Sequence, residues 1–489
     1  MRRDLDNFGK HPTSNSLGLN LSQKDNMSDT CLSFKNIRQS YFDNNSTVEE
    51  LFEHLIQRIE NRRDDGVWIT LVPKPLIMRR AKELDLLPVS KKKELPLFGL
   101  PFSVKDCIDV AGLPTTSACP KYQYAAHHTN LAVQRALDAG AILLGKTNMD
   151  QFATGVVGVR TPYGVARNPF NPEYIPGGSS SGSAVSVSAG LCAFAFGTDT
   201  GGSGRVPASY NNIVGLKPTL GLLSRVDMVN ASMLFDTVSI YALTASDAKE
   251  ILQICEAVDN RDAYGRKNPA TPTLGKPQNL RIAIPKTEDL EFFGNANAEE
   301  LYHAGIETLA ALGHKIHEIE FDTFFETSKM MFEGPLLAER YAAVGKFVEC
   351  FPDEIDPTVK SVINASKKFT AADAFNAIYQ LDRNIRYIQQ VFNDDDILAV
   401  PTVGTVYRID EVLADPFNTN STNGLYMNFV NMADLCAIAV PNGFLKNGLP
   451  IGITLIAPAF NDLILCDLAT EMHPLRVNTM GATQFRLKT

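Results

Sequence analysis

Apolar positions along this chain fall into two patterns, helical spacings and short continuous runs. Val48, Leu51, Leu55 and Ile59 repeat on one helical face, and Thr47-Val-Glu-Glu50 before them has the spacing of a capping box. A scaffold helix is therefore predicted to start after Thr47. Further on, the run Phe102–Val104 reads as a buried strand, followed by a helical pattern from about Thr129 to Asp138, a stop at Gly140 and a second strand at Ile142–Leu144. The alternation returns with a strand at Arg281–Ile284, a helix around Ala298–Leu312 stopped by Gly313, and strands near Ile316–Ile319, Ile397–Val400 and Ile451–Leu455. Strand and helix in alternation predict an α/β fold, a sheet covered by helices. Residues 1–30 carry neither period, and their Asn, Ser and Asp content reads as a flexible polar tail, with Met27 an alternative start. Gly265–Asn279 reads as a long surface crossing within one domain.

Composition narrows the possibilities. The 489 residues carry 46 Lys and Arg against 55 Asp and Glu, a net charge of -9, so no overall positive field exists to attract nucleic acid or anionic membranes. The eight cysteines are scattered without a C-x-x-C pair, which predicts reduced thiols and no metal centre. No signal-peptide core precedes Met27, so a cytoplasmic location is expected. From Tyr174 to Thr198 there is no charged residue, a length sufficient to span a bilayer. Pro176 and the glycines and serines of this stretch would leave polar groups unsatisfied in lipid, so it is predicted to be buried inside the protein.

Within that stretch lies Pro176-Gly-Gly-Ser-Ser-Ser-Gly-Ser183, followed by Gly197-Thr-Asp-Thr-Gly-Gly-Ser-Gly-Arg205. A phosphate-binding loop is excluded, because Ser203 stands where such a loop needs lysine. A nucleophile elbow is formally satisfied by Gly178-Ser-Ser180-Ser-Gly182, with His473 late enough to serve as base. Pro172 and Pro176, however, interrupt the strand an elbow requires. A flexible linker explains neither the second glycine turn nor Lys105 at the end of an apolar strand. Spacing alone does not choose among these readings.

Val104-Lys-Asp-Cys-Ile-Asp-Val-Ala-Gly-Leu-Pro-Thr-Thr116, Gly145-Lys-Thr-Asn148 and the two serine–glycine segments together resemble the amidase signature family, in order from roughly Pro96 to Pro458. The resemblance implies a large mixed β-sheet core covered by helices on both faces, occupying residues 31–475, with a short C-terminal tail at 476–489. It also implies a Ser–cis-Ser–Lys triad for amide hydrolysis, with Lys105 as base, Ser179 as the bridging serine and Ser203 as nucleophile. The chemistry is consistent: serine needs a base, and lysine serves only if burial lowers its pKa from about 10.4. By the same resemblance, the backbone N–H groups of Thr200, Gly201, Gly202 and Ser203 would form the oxyanion hole. Gly178, with the buried pair Asp199 and Arg205, would support it.

Several segments, among them Gln151-Phe-Ala-Thr-Gly155 and Tyr426-x-Asn-Phe-Val-Asn431, resemble allophanate hydrolases within that family. Such an enzyme releases ammonia from allophanate, a carboxylated urea, and the remainder decomposes to more ammonia and carbon dioxide. The resemblance makes Arg340 the holder of the substrate carboxylate, Gly155 a backbone contact, and Phe332 the replacement for a usual tyrosine, keeping the ring without the hydroxyl. It implies a small-molecule amide substrate, no metal or organic cofactor, and a homodimer. Another small carboxylated amide, or glutamine in an amidotransferase subunit, is the alternative substrate. The likeness ends near Leu468, and Met472–Thr489 is too short for the extra domain that many allophanate hydrolases carry.

Overall fold

The computed structural model describes residues 31–269, 278–394 and 396–487. The tail expected at 1–30 lies outside the described residues, as does part of the crossing expected at Gly265–Asn279.

Eleven strands form one mixed sheet. In chain order they are β1 (Trp68–Leu71), β2 (Pro101–Lys105), β3 (Ile142–Thr147), β4 (Phe194–Asp199), β5 (Val214–Lys217), β6 (Thr237–Ala242), β7 (Arg281–Pro285), β8 (Lys315–Ile319), β9 (Ile397–Pro401), β10 (Leu435–Phe444) and β11 (Pro450–Pro458). Their order across the sheet is β1-β3-β2-β4-β6-β5-β10-β11-β9-β7-β8. β2 runs parallel to both neighbours, β3 and β4, and β7 runs parallel to β8 and β9, while the other pairings are antiparallel. Strands β2, β3, β4 and β6 are buried at every position, which explains their continuous apolar runs in place of alternation.

Helix boundaries follow their caps. The Thr47 and Glu50 capping box is formed, and the helix runs Val48–Glu60. The helix expected from Thr129 starts at Leu131 because the Asn130 side chain accepts the Ala132 N–H at 3.0 Å. Gly140 and Gly313 adopt the positive φ that stops a helix, at +96° and +93°. No helix among the described residues is long and apolar enough to cross a membrane.

The charge-free stretch becomes the helix Ser181–Ser188, buried at every position and packed over β2, β3 and β4. Its serines are tolerated there because each finds a partner. Ser183 and Thr147 hydroxyls lie 2.7 Å apart, Ser186 and Ser103 hydroxyls 2.9 Å apart, and Ser188 donates to the Asn211 carbonyl at 2.7 Å. At the other end of the chain, residues after the helix Asp462–Arg476 return to the same region, where Ala482 N–H donates to the Ser188 carbonyl at 2.9 Å.

Close approach of this helix to the sheet edge depends on Gly182. A methyl at that position would lie 2.4 Å from the Val67 carbonyl oxygen and 2.6 Å from the Asn148 nitrogen. Gly182→Ala is expected to destabilise the protein by about 1–3 kcal/mol, the usual range for overpacking. A lowered thermal midpoint reports the change, and an unchanged midpoint contradicts the tight docking of this helix.

Candidate active site

Parallel pairing of β2 with β4 brings the carboxyl ends of both strands to one edge of the sheet. Lys105 closes β2 there with no exposed surface, and its Nζ lies 2.7 Å from the Ser179 Oγ and 2.7 Å from the Thr198 Oγ1. Burial lowers its pKa below the ordinary lysine value, against the opposing pull of Cys107 and of Asp150, Asp236 and Asp199. None of these carboxylates makes an ion pair with Lys105 among the described residues.

Ser179 enters this site from the segment before the buried helix, and the Gly178–Ser179 peptide is cis. Its carbonyl accepts the Asp150 N–H at 3.0 Å. Gly178 is packed so closely that a methyl there would meet the Asp150 Oδ2 at 2.2 Å and the Gly158 nitrogen at 2.4 Å. The Asp150 carboxylate in turn accepts N–H bonds from Gly158 and Arg160, each at 2.9 Å, which folds the intervening loop. Burial raises the Asp150 carboxyl, with Arg160 opposing. That loop carries Gly155, whose carbonyl receives the Ser203 hydroxyl at 3.5 Å. The structure thus joins Lys105 to Ser179 directly, whereas no hydrogen bond among the described residues joins Ser179 to Ser203.

The turn after β4 is held by a fully buried ion pair. Arg205 donates from Nε and Nη2 to the two carboxylate oxygens of Asp199, both at 2.9 Å, and from Nη2 also to Asn431 Oδ1 at 2.9 Å. Burial alone would raise the Asp199 carboxyl, but Arg205 and the Gly202 N–H hold it below the usual range. This carboxylate corrects one expectation. Gly202 donates its N–H to Asp199 Oδ1 at 2.8 Å, so it is withdrawn from the oxyanion set, and Gly204 does the same to Oδ2 at 2.9 Å. Among the described residues, the N–H groups of Thr200, Gly201 and Ser203 have no acceptor.

Arg340 lies in the first turn of the helix Ala338–Cys350 and is 4% exposed, contrary to the solvated charge that its residue type suggests. Its Nη1 donates to Thr154 Oγ1 at 3.1 Å and to the Ala153 carbonyl at 3.4 Å, beside Gly155. The guanidinium sits 5.0 Å over the Phe332 ring. Burial lowers its pKa to about 10 against the attraction of Asp236. No carboxylate pairs with Arg340 among the described residues. Arg340 thus touches Phe332 and the two residues before Gly155, and Gly155 in turn receives the Ser203 hydroxyl.

The elbow reading fails on geometry. Ser180 donates to the Thr198 carbonyl at 3.0 Å, while His473, held neutral by burial to about 4, lines a separate cavity of about 240 Å³ with Ser33 and Asp247. Two contributors were not singled out from the sequence. Thr198 is the second partner of Lys105, and Asp236 accepts the Thr200 hydroxyl at 2.5 Å. Thr198 lies within the second glycine motif, whereas Asp236 carries no sequence signal beyond preceding an apolar strand.

The family model described as Amidase matches residues 50–466. The urea amidolyase of Lachancea kluyveri is 41% identical over 436 residues, covering 88% of this chain and 24% of that protein. The chain thus spans about a quarter of that relative's length. A glutamyl-tRNA(Gln) amidotransferase subunit from Chlorobium luteolum is 30% identical over 470 residues, covering 90% of this chain and 96% of that protein. Among solved structures, Kluyveromyces lactis allophanate hydrolase superposes with a TM-score of 0.86 at 39% identity, covering 93% of this chain and 75% of that one.

Removing one partner of the buried pair leaves the other charge stranded. Arg205→Met is expected to destabilise the fold by about 3–5 kcal/mol. Denaturant unfolding checks this, and a loss below the resolution of the titration contradicts the role given to the pair.

Proposed function

We propose, for a chain that belongs to the Amidase family, that this site hydrolyses allophanate through Ser203, Ser179 and Lys105. The observation that carries the substrate class is Arg340, a buried guanidinium without a carboxylate partner among the described residues, bonded to Ala153 and Thr154 just before Gly155, whose carbonyl receives the Ser203 hydroxyl. A planar donor in that state suits a substrate carboxylate bound through two oxygens. Phe332 covers one face of it.

In the proposed reaction, neutral Lys105 accepts a proton from Ser179 as Ser179 takes one from Ser203. The Ser203 oxygen then bonds to the terminal amide carbon. The N–H groups of Thr200, Gly201 and Ser203 receive the developing oxyanion, and donors of this kind are typically worth about 3 kcal/mol each. The proton returns through Ser179 to the departing nitrogen, releasing ammonia and leaving an acyl group on Ser203. Water, activated by the same pair, releases the acyl group as a dicarboxylated amine, which decomposes to ammonia and carbon dioxide.

The similarity to the Chlorobium luteolum amidotransferase protein along 90% of the chain supports a second reading, glutamine hydrolysis.

Ammonia release from allophanate, malonamate, biuret and glutamine tests the assignment. Allophanate is expected to be the preferred substrate, and Ser203→Ala to lose roughly a thousandfold or more in kcat. Preference for glutamine, or normal turnover by Ser203→Ala, contradicts it. Phe332→Tyr, which restores a hydroxyl beside the carboxylate site, is expected to lower KM for allophanate by about tenfold or more, the range of a hydrogen bond to a charged group.

A further inference from the structure

Arg340 is followed backwards along its helix by Glu339, and Glu339 is tied to the far side of the oxyanion turn. Its Oε2 accepts the Ser232 hydroxyl at 2.9 Å and the Leu234 N–H at 3.3 Å. The Ser232 N–H donates to Asp236 Oδ2 at 3.2 Å, alongside the Ala231 N–H at 2.7 Å. The other oxygen of Asp236 receives the Thr200 hydroxyl at 2.5 Å, and the Thr200 N–H is one of the three in the turn without an acceptor among the described residues. Ser232, Asp236 and Thr200 are all buried. The loop between them is braced by Arg225, which donates to the carbonyls of Met233 at 2.7 Å and Asp236 at 3.3 Å. Asp236 also attracts the Arg340 guanidinium electrostatically.

We propose that Glu339, Ser232, Asp236 and Thr200 form a relay that couples carboxylate binding at Arg340 to the placement of the oxyanion turn. The proposal rests on the carboxylated-amide reading above and deepens it. A carboxylate drawn onto Arg340 loads the first turn of its helix, and Glu339 in that turn bears on the loop 231–236. Close-packed, braced elements transmit such a displacement in place of absorbing it. Asp236 then carries it to Thr200 through a charge-assisted hydrogen bond. The consequence is selectivity in turnover. A neutral amide of the same shape occupies the site without loading the relay, so its oxyanion meets a less well placed turn. Glu339, Ser232 and Asp236 are positioning residues, since none of them is assigned a contact with the reacting atoms.

The test compares kcat and KM for malonamate and for its neutral analogue malonamide. Glu339→Ala is expected to reduce the malonamate-to-malonamide ratio of kcat by about tenfold, within the usual range of coupling between sites. KM for malonamate should change less than threefold, because Arg340 is retained. Glu339→Gln keeps an acceptor oxygen for Ser232 and is expected to restore the ratio. Adding Ser232→Ala to Glu339→Ala is expected to lower it by less than a further twofold, as for two members of one relay. A parallel loss of kcat on both substrates, a rise in KM alone, or additive effects in the double variant overturns the relay. A wild-type enzyme with no preference for malonamate overturns the carboxylated-amide reading itself, and with it the relay.

Discussion

Lys105 has no exposed surface and no carboxylate at ion-pair distance among the described residues, and that burial disfavours its charged form and lowers its pKa. Its amine donates to the Ser179 and Thr198 hydroxyls, both at 2.7 Å, which puts Ser179 within direct reach of a proton exchange with it. The surroundings serve that condition. Parallel pairing of β2 and β4 sets Lys105 against Thr198, and the buried serine helix brings an uncharged wall up to both. A lysine on a solvated strand end would keep its proton and could not activate a serine.

The neighbouring turn solves the same problem in the opposite way. Asp199 and Arg205 stay charged without exposed surface because each is matched by the other, and because backbone and side-chain donors take up the remaining oxygen valence. Such a pair is weak evidence of stability in itself, since desolvation offsets much of its attraction. Its structural effect is orientation. By drawing the Gly202 and Gly204 N–H groups to one side, Asp199 leaves those of Thr200, Gly201 and Ser203 unclaimed. One residue thus both fixes the turn and separates the amides it binds from those it leaves without an acceptor among the described residues.

Legibility of the sequence followed burial. β2 and β3 were readable because strands covered on both faces are written as unbroken apolar runs, whereas the helix expected from Thr129 started two residues later because the Asn130 side chain supplied the cap. Lys105 and Ser179 are 74 residues apart, and no spacing rule joins them; sheet pairing does, and only the family resemblance pointed to it in advance. Arg340 looks like a surface charge from its residue type and helix, because what buries it, the loop 153–155 and Phe332, comes from other parts of the chain. The glycine motif marked the turn after β4 but not the direction of each N–H. Thr198 and Asp236 act through contacts across the sheet and loops, which a linear pattern does not record.

Central to all of this is the direct contact of the buried Lys105 with Ser179, through which we propose that Ser203 is activated. The most direct measurement is the rate at which a serine-directed phosphonate labels Ser203 as a function of pH, in the wild type and in Lys105→Met. Labelling is predicted to accelerate with pH through an ionisation below the ordinary lysine value of 10.5, and to become slow and pH-independent in Lys105→Met. Labelling of Lys105→Met at the wild-type rate and with the wild-type pH profile would contradict it.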